Sequence, residues 1–544
     1  MNRAARWHLA GALAVVAATA ALYLPFLGNP LVFDDRIFFS GWRFAYYALN
    51  PLGLDLRLPP YFTLALTEVL WSKSLEAQRI VSLVLHAGVA LVLYRLLLDL
   101  QRTAFPAHAQ SDAPLRAAIG AAAFALHPVA VYGAGYLVQR SIVMATLFGL
   151  LSAVLFLRGL RRGSHADALS AALLFWLAVL SKEHAVLLPA ATALLAVLAG
   201  ASRAFAVRHV ALYFAACAPA AIFVTLRSLG IIGGAYEEAA VAIAAQIGAA
   251  AGEDVVDQSL AVSAVTQAGL FFKYLGLWLW PATGGMSIDL RVDFAAGWTA
   301  GWIAAKLAGF AAWGALGSAL LLRRGVLGMA GFGMLYAWIL FFVEFSAVRF
   351  QEPFVLYRSY LWGPGYICLA VAALAYLPRR RVLVAGLLAC AALAYGAHDR
   401  LVTFSHPLLL WEDAVAKLPE RPVPWGSRTL YQAGHEYLYA GRPEKAIEVA
   451  ERCVSQYPKT MQCAYALGAI HLHLEHFETA RQHLLRAIAL RPDRGIAYHR
   501  LGIALEGLER MDDARRAYQR SLELGYGGAR LELERLGRGE RRRK

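Results

Sequence analysis

Apolar runs long enough to cross a bilayer follow one another from residue 8 to residue 397 and then stop. They fall near 8–27, 78–98, 115–135, 141–157, 167–181, 185–200, 209–226, 300–322, 326–345, 360–378 and 382–397. Such a chain has few ways to fold, because hydrocarbon offers no partner to a backbone N–H or C=O and each must be satisfied within a helix. The expectation is an all-α protein. Residues 1–400 form a polytopic membrane helix bundle of about eleven spans, and a polar region follows. A hydrophobic content of 59% and a mean hydropathy of +0.50 exclude an ordinary soluble protein. The net charge of +15 reflects arginines in short connections, so it points to membrane orientation and away from nucleic acid.

Those arginines orient the bundle. Arg3/Arg6, Arg95/Arg102/Arg116, Arg158/Arg161/Arg162, Arg203/Arg208, Arg323/Arg324 and Arg379/Arg380/Arg381 occupy every second connection, which makes that face cytoplasmic. The outer face then carries the loops 28–77 and 227–299 together with Asp34/Asp35, Arg140, Lys182/Glu183 and Arg358. The first run resembles a signal peptide but is long for one, and is expected to remain as an uncleaved span. Residues 264–281 are apolar enough to span. Reading them as an interfacial helix, with Phe271, Phe272, Trp278 and Trp280 at headgroup depth, preserves the charge pattern.

After a linker at 401–426, a 34-residue period sets in. Gly434, Gly468 and Gly502 keep that spacing, as do Ala446, Ala480 and Ala514, and Pro458 and Pro492 extend it. This is the tetratricopeptide signature: three repeats over 427–526, then a capping helix and basic tail at 527–544, which includes Arg538, Arg541, Arg542, Arg543 and Lys544. An odd number of spans puts this solenoid outside the cytoplasm. Cys217, Cys368 and Cys390 fall in apolar runs as packing residues. Cys453 and Cys463 flank the turn between repeats one and two, where either a disulfide or simple packing accounts for them.

Charge beside a membrane bundle marks function more often than anchoring. Asp34/Asp35 are the candidate general base and its support, placed to take a proton from a hydroxyl arriving from water. Arg140, Arg358 and Lys182 are candidate phosphate contacts, because a guanidinium grips phosphate oxygens in a bidentate fork. His127, Gln139, Glu183, Tyr357, Arg57 and Asp289 are candidate supporting residues, with Arg291 and Asp293 weaker. Each has a plainer reading: His127 as a cap before Pro128, Arg140 as a snorkelling anchor, Lys182 and Glu183 as mutual neutralisers. No P-loop, dinucleotide fingerprint or strong metal-ligand cluster occurs. No metal is expected, although Asp34/Asp35 are chemically able to hold a divalent ion.

Phe33-Asp34-Asp35, the block from His127-Pro128-Val129 to Gln139-Arg140, Ser181-Lys182-Glu183, Trp280-Pro281 with Asp289, and Tyr357-Arg358-Ser359-Tyr360-Leu361 stand in this order ahead of the repeats. In that order the chain resembles the transmembrane and tetratricopeptide-repeat-containing O-mannosyltransferases, and their bacterial relatives more closely. The resemblance implies a GT-C glycosyltransferase fold in a bacterial inner membrane. It also implies a polyprenyl-phosphate-linked sugar donor and transfer with inversion to a hydroxyl, a Ser or Thr of an envelope protein presented by the repeats. By that analogy Asp34 is the base, Asp35 supports it, and Arg140 and Arg358 face the lipid phosphate. The chain departs from the family at Tyr132, Ile142, His184 and Leu356, where relatives carry Glu, an acid, Asn and Glu respectively. Two other functions compete: a non-catalytic repeat scaffold for envelope assembly, and a lipid-linked oligosaccharide ligase or polymerase. A transporter fits less well, because the charges gather on one face and not at mid-membrane.

Overall fold

The computed structural model describes residues 3–39, 43–51, 53, 55–72, 74–106, 110–234, 240–251, 257–294 and 299–538. The tail residues Arg541, Arg542, Arg543 and Lys544 lie outside them. Among the described residues the regular elements are all helices, α or 3-10. The chain divides into two compact units. The first runs to Ile288 and from Phe294 to Pro407; the second takes Asp289–Asp293 and the residues from Leu408 onward.

In the first unit every expected apolar run is helical. Eight helices among the described residues are long and apolar enough to cross a membrane: Arg6–Phe26, Leu75–Ala104, Leu137–Arg162, Arg203–Arg227, Ser259–Leu279, Ala300–Leu322, Gly325–Ser346 and Arg379–Thr403. A ninth candidate, Ala113–Ala125 with Pro128–Ala134, is bent by 63°. Proline accounts for the bend, since it cannot donate to the preceding turn; the His127 ring nitrogen Nδ1 caps the new helix by accepting the Val129 N–H at 3.1 Å. The runs at 167–181, 185–200 and 360–378 form the shorter helical segments Ala166–Ser181, Glu183–Leu198 and Gly363–Tyr376.

The segment expected to lie at the interface is instead packed into the unit. Phe271, Tyr274 and Trp278 of helix Ser259–Leu279 are buried, while Trp280 is exposed. The reason lies in its polar positions. Gln267 donates to the Pro353 carbonyl at 2.7 Å, the Tyr274 hydroxyl accepts the Val355 N–H at 2.8 Å, and the Trp278 indole donates to Ser359 Oγ at 3.0 Å. Through these three hydrogen bonds the helix clamps the stretch that carries Tyr357 and Arg358.

The second unit is built from helix pairs Gly426–Tyr439/Pro443–Gln456, Met461–His473/Phe477–Leu490 and Gly495–Gly507/Met511–Glu523, closed by Gly528–Gly537. Ala446, Ala480 and Ala514 are fully buried where the helices cross. Gly502 is obligatory there, since a Cβ would meet the Tyr518 ring at 2.5 Å. The capping helix is fixed by Arg535, which donates to both oxygens of Glu506 at 2.6 Å. The stretch 401–426 is not a plain linker: Pro407–Ala416 is a helix with Leu408, Leu410, Trp411 and Ala414 buried, and the unit boundary falls at Pro407. Cys453 and Cys463 form a disulfide that ties repeat one to repeat two. Closing so short a loop contributes about 2–3 kcal/mol in the chain-entropy description. A Cys453→Ser/Cys463→Ser variant of the full chain is therefore expected to lose that much repeat stability, read by urea-dependent proteolysis within residues 427–526. Equal resistance in both proteins would show that the bond adds nothing.

Candidate functional site

A cavity of about 790 Å³ opens in the first unit and collects most of the residues singled out from sequence: Asp34, Arg57, Gln139, Lys182, Glu183, Tyr357 and Arg358. Local backbone geometry brings each one there. Phe33 takes a left-handed conformation (φ 48°) that turns the chain into the short helix Asp34–Phe39, and the Asp34 N–H donates to the Tyr136 hydroxyl at 3.0 Å. Arg57, also left-handed (φ 63°), precedes a helix that opens with Leu58-Pro59-Pro60. Lys182 is a single extended residue between helix Ala166–Ser181 and the 3-10 turn Glu183–Leu187. Gln139 ends the 3-10 turn Leu137–Gln139, and Arg358 lies in another, Leu356–Tyr360.

The cations differ in how they are held. Arg57 grips Glu183 in a fork of 3.0 and 2.5 Å, and that carboxylate keeps the guanidinium well above its ordinary pKa. Arg358 donates to the buried Glu344 carboxylate at 3.0 Å and to the Glu352 carbonyl at 3.2 Å. Lys182 is 3% exposed, its ammonium lies 5.5 Å from the Tyr357 ring centroid, and among the described residues it makes no hydrogen bond or ion pair. Burial, and after it the neighbouring Arg57 charge, lowers its pKa to about 7. The buried Gln139 Oε1 is likewise without a hydrogen-bond partner. Buried polar groups are normally satisfied, so the Lys182 ammonium is suited to an anion and the Gln139 oxygen to accepting a hydrogen bond from a hydroxyl.

Four expected site residues do not line the cavity. Asp35 is fully buried behind it; its carboxylate accepts the Val138 N–H at 2.8 Å and the Val32 N–H at 3.4 Å. It is therefore a positioning residue, tying the Asp34 turn to the one that carries Gln139. Arg140 was expected to face phosphate, but it is fully buried and spends its donors on the Gln78 carbonyl at 2.7 Å, Gln78 Oε1 at 2.9 Å, Ser82 at 3.2 Å and Thr63 at 3.4 Å. Its position as the first residue of an inward-packed helix turns it into the core. His127 is buried as a helix cap, stacked on Trp278 at 4.3 Å. Asp289 belongs to the second unit, where it accepts from Arg428 at 2.9 Å and Thr429 at 2.8 Å and pairs with Arg291. Asp293 also lies there, paired with Arg421.

Sequence reading passed over Glu344, which is buried with Arg358 at 3.0 Å, Arg349 at 3.4 Å and His184 at 3.4 Å. It supplies Arg358 with a buried carboxylate partner. The signal was legible, since an acid inside the apolar run 326–345 is rare without a partner. His184, Arg43, Tyr61, Arg349 and Glu352 line the cavity too. Among the described residues no group of three or more His, Cys, Asp or Glu side chains is arranged to hold a metal.

A tetratricopeptide-repeat family model matches residues 431–494 and 474–529. The C-terminal unit thus carries tetratricopeptide repeats. Over 121 residues the chain is 29% identical to a Mus musculus protein described as BBSome complex member BBS4, a match that covers 22% of each chain. The aligned part is about a fifth of that relative's length. Among solved structures, the first repeat domain of Spaghetti (RPAP3) bound to an HSP90 peptide is 24% identical, covering 21% of this chain and 91% of that one, with a TM-score of 0.20. The crystal structure of MamA is 24% identical, covering 27% and 82%, with a TM-score of 0.22.

Burial pushes the Asp35 carboxyl up to about 7 from 3.8, although the Val138 N–H, Arg79 and the Val32 N–H each favour its charged form. The folded chain therefore holds this proton more tightly than the unfolded chain does. The associated stability is complete below about pH 4 and is lost as pH rises through about 7. Asp35→Asn keeps an acceptor for Val138 and cannot ionise, so it should flatten the fall in melting temperature across that window. A fall as steep as in the wild type would assign the titration to another group.

Proposed function

We propose that the protein is an integral-membrane glycosyltransferase that moves a sugar from a polyprenyl-phosphate carrier to a hydroxyl on the non-cytoplasmic face. The acceptor on this reading is a Ser or Thr of an envelope protein docked on the repeats. The observation that carries the reading is the presence, in one cavity, of the Asp34 carboxylate and the buried Lys182, whose ammonium makes no hydrogen bond or ion pair among the described residues. The acceptor oxygen attacks the anomeric carbon while its proton passes to Asp34. The bond from that carbon to the phosphate oxygen breaks, and the phosphate leaves with the electron pair, producing inversion. Lys182, with Arg358 and Arg57 beside it, neutralises the departing charge. The apolar wall of Val186, Leu187, Phe342 and Val343 suits the first units of a prenyl chain. Because the donor carries its own leaving group, no nucleotide site is required.

A second reading is a repeat scaffold without catalysis. It is favoured by the family match, which lies within the repeats, and by a curated relative whose name makes it a complex member. Both readings use the repeats to dock protein, and they part at Asp34. In a deletion strain complemented with wild type or Asp34→Asn at equal membrane abundance, glycopeptide mapping should show a defined sugar increment that falls by about 10²–10⁴-fold in the variant. Unchanged glycopeptides alongside a rescued envelope phenotype would establish the scaffold.

A further inference from the structure

A second cavity, of about 850 Å³, lies in the first unit among helices Arg3–Tyr23, Ala113–Ala125 and Arg379–Thr403. We infer that it is a binding site for an anionic phospholipid, which places one acyl chain in the groove and its phosphate at Arg102 and Arg379. The inference rests on the bilayer placement proposed above and is independent of glycosyl transfer.

Length is the first argument. The lining runs from Trp7 to Ala18 on the first helix, from Pro114 to Leu126 on the second and from Arg379 to Cys390 on the third. Eleven or twelve rises of 1.5 Å between the ends of each stretch give roughly 16–18 Å. Half of a bilayer's hydrocarbon core is about 15 Å. The groove is thus one leaflet deep and matches a single lipid chain.

Its two ends differ in chemistry. Gly11, Ala14, Ala18, Ala118 and Ala122 line the shaft, and the groove exists because these positions are small. Polar groups gather at the mouth, where Arg102, Gln110, Ser111 and Arg379 meet Trp7. Arg379 pairs with Asp112 at 3.0 Å and lies 5.4 Å from the Trp7 ring centroid. Arg102 shares Asp99 with Arg95 and Arg161, at 3.6, 2.6 and 3.1 Å. Two of the lining residues are arginines and none is acidic, so the mouth presents an excess of positive charge where a phosphate diester would sit. A tryptophan at the same level is the usual headgroup-depth anchor. These arginines also mark the face that the charge rule makes cytoplasmic, whose leaflet carries anionic lipid, and basic pockets between spans on that side suit such headgroups. A free phosphate leaves the apolar shaft empty, and a zwitterionic lipid leaves the charge excess unmatched.

The test uses the full chain reconstituted in nanodiscs of phosphatidylcholine with a minor share of phosphatidylglycerol, with retained lipid counted by native mass spectrometry. Wild type should retain phosphatidylglycerol at least tenfold over its share. Arg102→Gln/Arg379→Gln, which alters two partly exposed side chains, should lose that preference. Ala14→Phe, at an exposed lining position, should lose the bound lipid altogether. Equal retention of both lipids by wild type, or no change in either variant, would overturn the inference. So would a dimer that dissociates on Ala14→Phe, which would give the groove to a second copy. Recovery of the chain from the soluble fraction would overturn the bilayer placement and this site together. Loss of selectivity in a chain that stays in the membrane would overturn this site alone.

Discussion

One buried carboxylate holds the cavity in shape. Asp35 joins the turn after the first helix to the turn that opens helix Arg140–Arg162 by accepting the Val138 and Val32 N–H groups. A carboxylate in that position is costly to bury, and its raised pKa records the cost. What the contact secures is the direction of its neighbours: Asp34 on one side and Gln139 on the other both reach the same space. Two adjacent aspartates that look interchangeable in sequence thus have different tasks. One meets the cavity and the other fixes the backbone that presents it.

The arginines divide in a similar way. Arg140 is spent inside the bundle, with Gln78, Ser82 and Thr63 using its donors. Arg358 is held by Glu344 and still reaches the cavity. Arg57 is neutralised by Glu183. Lys182 alone of the expected cations makes no side-chain hydrogen bond or ion pair among the described residues, so a phosphate would gain most there. On the proposed reading, the paired arginines set the field of the site and Lys182 meets the ligand.

Much of this was legible in the chain itself. Period and composition located the long apolar helices of the first unit and the register of the repeats, because hydrocarbon and helix crossings restrict residue type severely. The helices Asp34–Phe39, Arg43–Leu49, Leu58–Trp71 and Ala240–Ala251 lie where loops were expected. Short polar turns located seven cavity residues, since charge beside an apolar run needs a reason. The failures share a cause. Asp289, Arg140 and helix Ser259–Leu279 were assigned from their position along the chain, whereas long-range hydrogen bonds decide where each side chain goes. Thr429 lies 140 residues from Asp289, and Ser359 lies 81 from Trp278. Pairings at such distance leave no trace in local pattern. Glu344 is different, since its place inside an apolar run was visible.

The central claim is that this cavity receives the phosphate of a lipid carrier at Lys182. Its most direct test is saturable binding of polyprenyl phosphate to the purified full chain, comparing wild type with Lys182→Gln and Asp34→Asn. The account predicts affinity at least tenfold weaker for Lys182→Gln, equivalent to about 1.4 kcal/mol, and near wild type for Asp34→Asn. Equal affinity in all three proteins, or no saturable binding by wild type, would contradict it.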